Sequence, residues 1–249
     1  MKRFFAALGF LTVLPVPEGW GGGEAELSRC TPFFPPVGLL IGAFAAAWAW
    51  GLGRALPAWP VSVLTVIALI GVSRGLHMDG LSDTADGFLS SRPRERILEI
   101  MRDSHVGAMG VMAIVCAVCL KAAALASLSG EVRWRAVLLM PVAGRCALVV
   151  SVAALPYARG TGGLGTLFYR GRSRLDAAWA VLFLGLVGWA AAGVAGLVAS
   201  ALSIALTLLF AVYTYRKIGG ATGDTLGAAC ELAEIVPALA LCAWPGARA

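Results

Sequence analysis

Long apolar runs alternate with short polar segments along the whole chain. A helix needs about 20 apolar residues to cross a bilayer, and it satisfies its own backbone hydrogen bonds there. We predict spans at residues 37–56, 61–76, 108–128 and 136–155, two more within 175–213 broken near Gly193 or Gly196, and a last helix ending at Trp244. The pattern predicts an all-α, polytopic transmembrane bundle of about seven spans, forming a single domain over residues 1–249.

Shorter or more polar stretches separate these runs. Residues 4–14 are apolar but too short to span, so we expect them to lie at the membrane interface or to re-enter. The other connections are predicted as loops or tight turns at residues 19–29, 57–60, 92–96, 131–135 and 160–171.

Composition and charge support a membrane protein with one basic face. Hydrophobic residues make up 59% of the chain and charged residues 14%, whereas soluble domains carry roughly a quarter charged residues. The net charge is +6, and ten of the 20 Lys and Arg residues fall in residues 77–107, 157–174 and 214–226. The predicted spans put these segments on one side, which the positive-inside rule makes cytoplasmic. The main exception to this rule is residues 131–135, which carry Arg133 and Arg135 but fall on the outer side.

These features also bear on location and partners. We expect a multi-pass protein of the cell inner membrane, with the lipid bilayer as a partner and the active face towards the cytoplasm. The basic residues are scattered between spans, so nucleic-acid binding is not expected. A homo-oligomer is left open.

Three aspartates, Asp79, Asp83 and Asp86, form what we call the aspartate stripe. They stand at i, i+4 and i+7, which on a helix puts the second and third about 40° and about −20° from the first. Carboxylates this close repel one another unless a cation lies among them or some take up protons. Oxygen-only ligands without cysteine favour Mg²⁺ or Mn²⁺ over zinc. The alternative is that the three aspartates lie at a solvated helix end and have no function.

A magnesium ion held by carboxylates, with water and open positions, is a common way to bind phosphate oxygens. Nearby arginines neutralise the remaining phosphate charge. Gly80 and Gly87 permit close backbone approach. The candidate phosphate-binding residues are Arg92, Arg94, Arg102 and Arg159. For residues 92–102, charge that sets the topology is an equal alternative.

Further polar residues complete the candidate chemistry. Asp103 is a possible metal ligand or a base that receives a hydroxyl proton. Asp224 and Glu231 stand seven apart, on about the same helix face, and are expected to form a second acidic ledge, with ordinary interfacial charge as the alternative. For His77 and His105 we weigh ligand or proton-carrier roles against structural hydrogen bonds. Lys121 and Arg145 lie within predicted spans. Their side chains either snorkel to the membrane surface, form an internal ion pair or contact the substrate.

Three motifs, in order along the chain, carry a family resemblance. They are His77-x-Asp79-Gly80-Leu81-x-Asp83-x-x-Asp86-Gly87, then Met101-Arg102-Asp103-Ser104-His105-Val106-Gly107, then Gly219-Gly220-x-Thr222-Gly223-Asp224. With them the chain resembles the cobalamin (5′-phosphate) synthase family, also called adenosylcobinamide-GDP ribazoletransferase. Two positions depart from the pattern: Val13 stands where a basic residue is expected, and His105 where Arg is frequent.

The resemblance implies a reaction and a set of roles. The 3′-hydroxyl of α-ribazole, or of its 5′-phosphate, attacks the phosphate joined to adenosylcobinamide, and GMP leaves. The family is similarly expected to need Mg²⁺ and to lie in the inner membrane of prokaryotes. The implied metal and diphosphate site is Asp79, Asp83 and Asp86, and the next implied candidates are Asp103 and Asp224. Taken with the residue analysis above, the predicted catalytic residues are Asp83, Asp86 and Asp103. The predicted substrate-binding residues are His77, Arg92, Arg94, Arg102, Arg159, Asp224 and Glu231.

Two other functions share part of this signal. A CDP-alcohol phosphatidyltransferase also uses aspartates on membrane helices, but Asp79-Gly80 is followed by Leu81-Ser82-Asp83 and does not match its pattern. A cation-coupled transporter would place acids near the bilayer midplane on several helices, whereas here most acids cluster at span ends.

Overall fold

The computed structural model describes residues 1–17, 19–159 and 165–245. In these segments the α-helices are α1 (Lys2–Leu11), α2 (Glu24–Leu27), α3 (Phe34–Leu52), α4 (Ala58–Val72), α5 (Leu76–Phe88), α6 (Arg94–Ile100), α7 (Ala108–Ala126), α8 (Gly130–Ala154), α9 (Gly165–Arg170), α10 (Arg174–Ile218) and α11 (Gly223–Ala243). A 3₁₀ turn, Thr31–Phe33, precedes α3, and a parallel bridge joins Tyr157 to Ala221.

The predicted helical membrane bundle is confirmed. In the described part, five helices are long and apolar enough to cross a membrane, and the bent pair α4 and α5 raises the number to six if it counts as one span. The exact number of seven stays a prediction, as does the cytoplasmic orientation of the site. Helix α3 opens with proline in its first turn, where the missing N–H costs nothing.

Helix α10 contains the predicted break. Ala192 and Gly193 leave helical geometry, and Gly193 has φ of 56°, a left-handed conformation that glycine adopts without a steric penalty. The arms on either side fold back on each other, with Gly188 against Gly196. The Ser200 hydroxyl donates a hydrogen bond of 3.1 Å to the Leu184 carbonyl across this contact.

The span predicted at residues 61–76 is shorter than expected, because the chain bends by 91° between α4 and α5. Arg74 and Gly75, in the bend, both have positive φ. The Arg74 guanidinium donates to the carbonyls of Gly9 and Thr12 at 2.9 and 2.6 Å. The bend turns α5 across the end of the bundle, where it carries the aspartate stripe.

Helix α8 is the centre of the bundle and packs against α3, α10 and α11. Glycines permit the close approach: a Cβ at Gly38 would lie 2.7 Å from the Pro141 carbonyl oxygen, and one at Gly144 would meet the Glu234 side chain. Small residues of this kind let membrane helices pack backbone against backbone.

Several predicted loops are helical instead. The turn expected at residues 131–135 is the first turn of α8, where Ser129 occupies the N-cap position and Glu131 stands in the first turn; an acidic residue there is favoured by the helix dipole. Residues 94–100 form α6, and α4 begins at Ala58 within the turn expected at 57–60. Of the loop expected at 160–171, residues 160–164 lie outside the described residues, and α9 occupies most of the remainder.

Candidate functional site

The site forms where the first turns of α5 and α11 meet. A Cβ at Gly80 would lie 2.7 Å from the Asp224 carbonyl oxygen and 3.0 Å from its Cα. One at Gly227 would lie 3.1 Å from the His77 carbonyl oxygen. The two backbones are therefore nearly in contact, and this brings Asp224 beside the aspartate stripe. The close approach that the structure shows at Gly80 is to α11, whereas the sequence suggested it for the phosphate site.

Four carboxylates and one guanidinium share this region. Asp83, half-buried, lies within electrostatic range of Asp79, Asp86, Asp224 and Arg159. We call the four aspartates the acidic cluster. Carboxylates in excess over cations repel one another, which favours binding of a cation or a proton.

Asp224 and Arg159 form the ion pair of the site. Arg159 Nη2 donates to Asp224 Oδ2 at 2.9 Å and to the Met101 carbonyl at 3.3 Å. The Thr222 hydroxyl also donates to Asp224, at 3.2 Å, while it caps α11. Sequence reasoning selected Arg159 and Asp224 separately but did not pair them, and it gave Thr222 of the third motif no role of its own.

Asp86 has a contact that the stripe pattern did not predict. Its carboxylate accepts hydrogen bonds from the backbone N–H groups of Gly107 and Gly110, at 2.7 and 2.9 Å, which lie at the start of α7. A carboxylate at a helix N-terminus satisfies orphan donors and the helix dipole. The structure therefore ties Asp86 to α7, and Asp79 and Asp83 are freer to face a ligand.

The donors suit a magnesium ion that retains water or phosphate ligands. In the described segments no three or more His, Cys, Asp or Glu side chains come close enough to hold a metal ion by themselves. Mg²⁺ usually binds proteins through one or two carboxylates and completes its shell with water and substrate phosphates. Asp79, which is exposed, and its neighbour Asp83 fit that pattern.

The other predicted phosphate-binding arginines differ in position. Arg94 donates to the carbonyls of Ile218 and Ala158, at 2.8 and 3.2 Å, and so joins α6 to the end of α10. Arg92 and Arg102 are exposed. Arg159 is thus the one of the four whose contact with the acidic cluster the structure records.

Asp103 lies in the exposed connection between α6 and α7. Its carboxylate is hydrogen-bonded to the His105 ring at 2.6 Å and accepts the His105 backbone N–H at 3.0 Å. The ring contact, followed by the backbone one, lowers the pKa of Asp103, and the same ring contact raises the pKa of His105. Asp103 is therefore ionised at neutral pH, but it is a weaker base than an ordinary aspartate.

The structure separates Glu231 from the expected ledge. Lys121 Nζ donates to Glu231 at 2.6 Å and to Glu234 at 2.7 Å, and Arg145 also pairs with Glu234. All four side chains are buried. A buried charge is retained only when it is paired, so Glu231 serves the interior of the bundle. Of the alternatives for Lys121 and Arg145, the internal ion pair is confirmed.

A cavity of about 150 Å³ opens beside the acidic cluster, and we call it the aromatic cavity. His77 lines it, is 3% exposed, and has an Nδ1 without a hydrogen-bond partner among the described residues. The lining is Phe10, Phe34, Leu76, His77, Asp79, Gly80, Leu148, Val152, Gly165, Phe168, Gly223, Asp224, Leu226 and Gly227. Sequence reasoning gave the three phenylalanines no role in the site, because they are far apart in the chain and only the fold brings them together.

The fold and the site together define a polytopic membrane enzyme with an acidic cluster at one end of its helical bundle. The cobalamin-5-phosphate synthase family matches residues 3–242. The chain belongs to this family, and it is a transferase of cobalamin biosynthesis. Membership decides against the phosphatidyltransferase and transporter alternatives.

Curated relatives agree along nearly the whole length. A protein of Roseiflexus sp. (strain RS-1) is 44% identical over 92% of this chain and 85% of its own. One of Geotalea daltonii is 37% identical over 99% of each chain, and one of Escherichia coli O45:K1 is 38% identical over 96% of this chain and 99% of its own. Each is named adenosylcobinamide-GDP ribazoletransferase. No solved structure matches the chain.

Proposed function

We propose that the protein is a Mg²⁺-dependent phosphotransferase that joins α-ribazole, or its 5′-phosphate, to adenosylcobinamide-GDP and releases GMP. The 3′-hydroxyl oxygen of the nucleoside forms a bond to the phosphorus attached to adenosylcobinamide. The bond from that phosphorus to the bridging oxygen of GMP breaks, and the hydroxyl proton passes to a base. The names of the relatives support the donor substrate, and the family resemblance supports the acceptor.

The observation that carries the proposal is the acidic cluster, one member of which, Asp224, is paired with Arg159. Asp79 and Asp83 would hold the metal ion, which when bound neutralises phosphate charge. Arg159, fixed by Asp224 at 2.9 Å, is positioned to contact a phosphate oxygen. Positioning and charge neutralisation account for most of the catalysis in phosphoryl transfer.

The other candidate residues discussed here have supporting roles in this proposal. Asp103 is the proposed acceptor of the hydroxyl proton. Arg92 and Arg102, exposed at the same end of the bundle, would attract the anionic substrate, whereas Arg94 holds α6 in place through its carbonyl contacts. We place the reaction at the cytoplasmic face of the inner membrane, because this end of the bundle carries most Lys and Arg outside the spans.

The decisive test is reconstitution. Purified protein in detergent or liposomes is incubated with adenosylcobinamide-GDP, α-ribazole and Mg²⁺, and the completed cobamide and GMP are quantified by chromatography. We expect both products in equal amounts, loss of both with EDTA, and recovery with Mg²⁺. Release of GMP without cobamide would contradict the acceptor assignment, and full activity in EDTA would contradict the metal requirement.

A further inference from the structure

The aromatic cavity contains two features that the phosphate chemistry does not use. One is a wall of three phenylalanines: the ring centroids of Phe10 and Phe168 are 4.9 Å apart, and those of Phe34 and Phe168 are 5.5 Å apart. The other is His77, whose buried Nδ1 has no partner among the described residues. A buried polar atom without a partner is costly in the free protein. Both features indicate a ligand that is flat, apolar and provided with one polar atom.

The volume of the cavity limits what can enter. Pockets that enclose a whole drug-sized ligand measure about 300–1,000 Å³. An apolar cavity of about 150 Å³ accepts a single benzene-sized ring. The aromatic cavity, at ≈ 150 Å³, is therefore suited to a small ring system, and the rest of such a ligand must lie outside it.

The surroundings of the cavity indicate where the rest of the ligand lies. Asp79 and Asp224 line the cavity together with Phe10 and Phe34, so one ligand can bury a ring against the phenylalanines while its polar part reaches the acidic cluster. A nucleoside with an apolar base has this division. A polar corrin side chain or a guanine, with several donors and acceptors, would leave polar groups unpaired against this lining.

We infer that the aromatic cavity binds one ring of the planar, fused aromatic base of the acceptor nucleoside, with Nδ1 of His77 as its polar contact. The inference rests on the proposed function and names the position of one substrate within it. Edge and face contacts with the phenylalanines hold the ring. His77 contributes one donor or one acceptor at Nδ1, according to its tautomer. The sugar then emerges at Asp79, next to the metal-binding aspartates.

Filling the cavity tests this position. Val152 is buried in the lining, and Val152→Phe should raise the KM for α-ribazole by about tenfold or more, as blocked pockets do. The KM for adenosylcobinamide-GDP should stay within about twofold, since the donor lies elsewhere. The matched control is Val115→Phe on α7, where the side chain is 53% exposed and neither KM should change. A rise confined to the donor KM would overturn the inference.

Enlarging the cavity gives a second test if Val152→Phe elutes as aggregate from size-exclusion chromatography in detergent. Leu148→Ala removes a lining side chain. It should raise kcat/KM for the α-riboside of three-ring naphthimidazole relative to that of benzimidazole. An unchanged ratio would overturn the inference.

His77 is tested by a pair of substitutions. His77→Leu should raise the KM for α-ribazole, and His77→Asn, which offers an amide near the position of Nδ1, should restore most of the loss. A merely structural histidine would show no rescue and no selective change in acceptor KM.

Direct binding separates failure of the inference from failure of the proposed function. Equilibrium dialysis with radiolabelled α-ribazole should show binding to the wild type and weakened binding to Val152→Phe. Binding of this kind without cobamide formation would refute the function and leave the cavity assignment standing. Turnover by the wild type, with equal binding by both proteins, would refute the cavity assignment alone.

Discussion

Asp83 is the residue on which electrostatic repulsion at the site converges. It is half-buried and faces three other aspartates and one arginine. We expect Asp83→Asn to lower the rate of GMP release by about 100-fold or more, the effect seen when a charge-stabilising group is lost from an active site. The protein should still insert and elute as the wild type does. GMP release is measured by chromatography at saturating Mg²⁺.

The control for this prediction is Glu131→Gln, an isosteric change in an exposed residue at the start of α8, which should be silent. Near-normal turnover of Asp83→Asn would remove the stripe from the mechanism.

The Asp103–His105 pair makes a prediction about pH. The ring hydrogen bond raises the pKa of His105 and lowers that of Asp103, so protonation of the ring should persist above the ordinary His value of about 6.5. The chain has two histidines, so NMR titration of protein labelled at histidine resolves each. Asp103→Asn should lower the pKa of His105, because it removes the carboxylate, and Glu131→Gln should not. An unchanged titration curve in Asp103→Asn would show that the pair does not form.

At the residue scale, the sequence predicted which residues carry the chemistry better than it predicted which residues contact one another. The stripe spacing placed Asp79, Asp83 and Asp86 on one helix, and α5 confirms that helix. The hydrogen bonds from Gly107 and Gly110 to Asp86 could not be predicted, because they depend on where α7 begins relative to α5. The ion pair of Glu231 could not be predicted either, since its partner Lys121 lies on another helix, 110 residues away in sequence.

At the element scale, the contact of α5 with α11 depends on Gly80. Its Cβ would lie 2.7 Å from the Asp224 carbonyl oxygen, so Gly80→Ala must push the two backbones apart. Overpacking of this kind costs about 1–3 kcal/mol, and we expect a lower melting temperature together with a loss of activity greater than stability alone explains.

Gly71 provides the matched control. It lies in α4 with open space around its Cβ position. Gly71→Ala should therefore leave activity unchanged and increase stability by at most about 1 kcal/mol. Thermal unfolding in detergent and the cobamide assay measure the two effects. If Gly80→Ala behaves like Gly71→Ala, the close contact is not needed to position Asp224.

The buried charges tie α7, α8 and α11 together. Lys121 and Arg145 balance Glu231 and Glu234, so removing one member leaves an unpaired charge. Lys121→Met should therefore destabilise the protein by about 3–5 kcal/mol. The double variant Lys121→Met/Glu231→Gln restores neutrality and should recover part of the loss. Unfolding in mixed SDS micelles measures both, and an equal or larger loss in the double variant would contradict the neutrality argument.

Elements with a strong apolar signal were predictable, and those that depend on tertiary contacts were not. The break near Gly193 followed from the length of the apolar run and the glycine, and α10 confirms it. The 91° bend before α5 did not follow, because residues 61–76 form one apolar run; the bend is held by Arg74, which reaches the carbonyls of Gly9 and Thr12. Helix α6 was not predicted either, because its many charged residues are typical of a loop between spans.

At the scale of the whole molecule, the aromatic cavity shows how distant segments make one site. It is lined from the ends of several helices, including Phe34 at the start of α3, Val152 near the end of α8 and Leu226 in the first turn of α11. Polar motif residues of the same region were found from the sequence because each motif is local. The apolar half of the site is formed only by the packing of the bundle, so no single stretch of sequence predicts it.

The same arrangement makes a prediction about sidedness. Arg94 contacts the carbonyls of Ile218 and Ala158, and Arg172 contacts the Leu155 carbonyl, so both lie at the end of the bundle that carries the acidic cluster. If this end faces the cytoplasm, cysteines at either position should react with a membrane-impermeant maleimide in inside-out vesicles and not in intact cells. The background is a chain in which the six native cysteines are replaced by alanine.

Arg54, exposed just beyond the end of α3, lies at the opposite end of the bundle and shares a pocket with the residues that start α8. A cysteine there should react from outside the cell, which makes it the control for access. Because the positive-inside rule acts on the whole set of loops, the result tests the bundle as a unit. Labelling of the Arg94 and Arg172 positions from outside would invert the topology, and labelling of the two positions from opposite sides would show that they do not share one face.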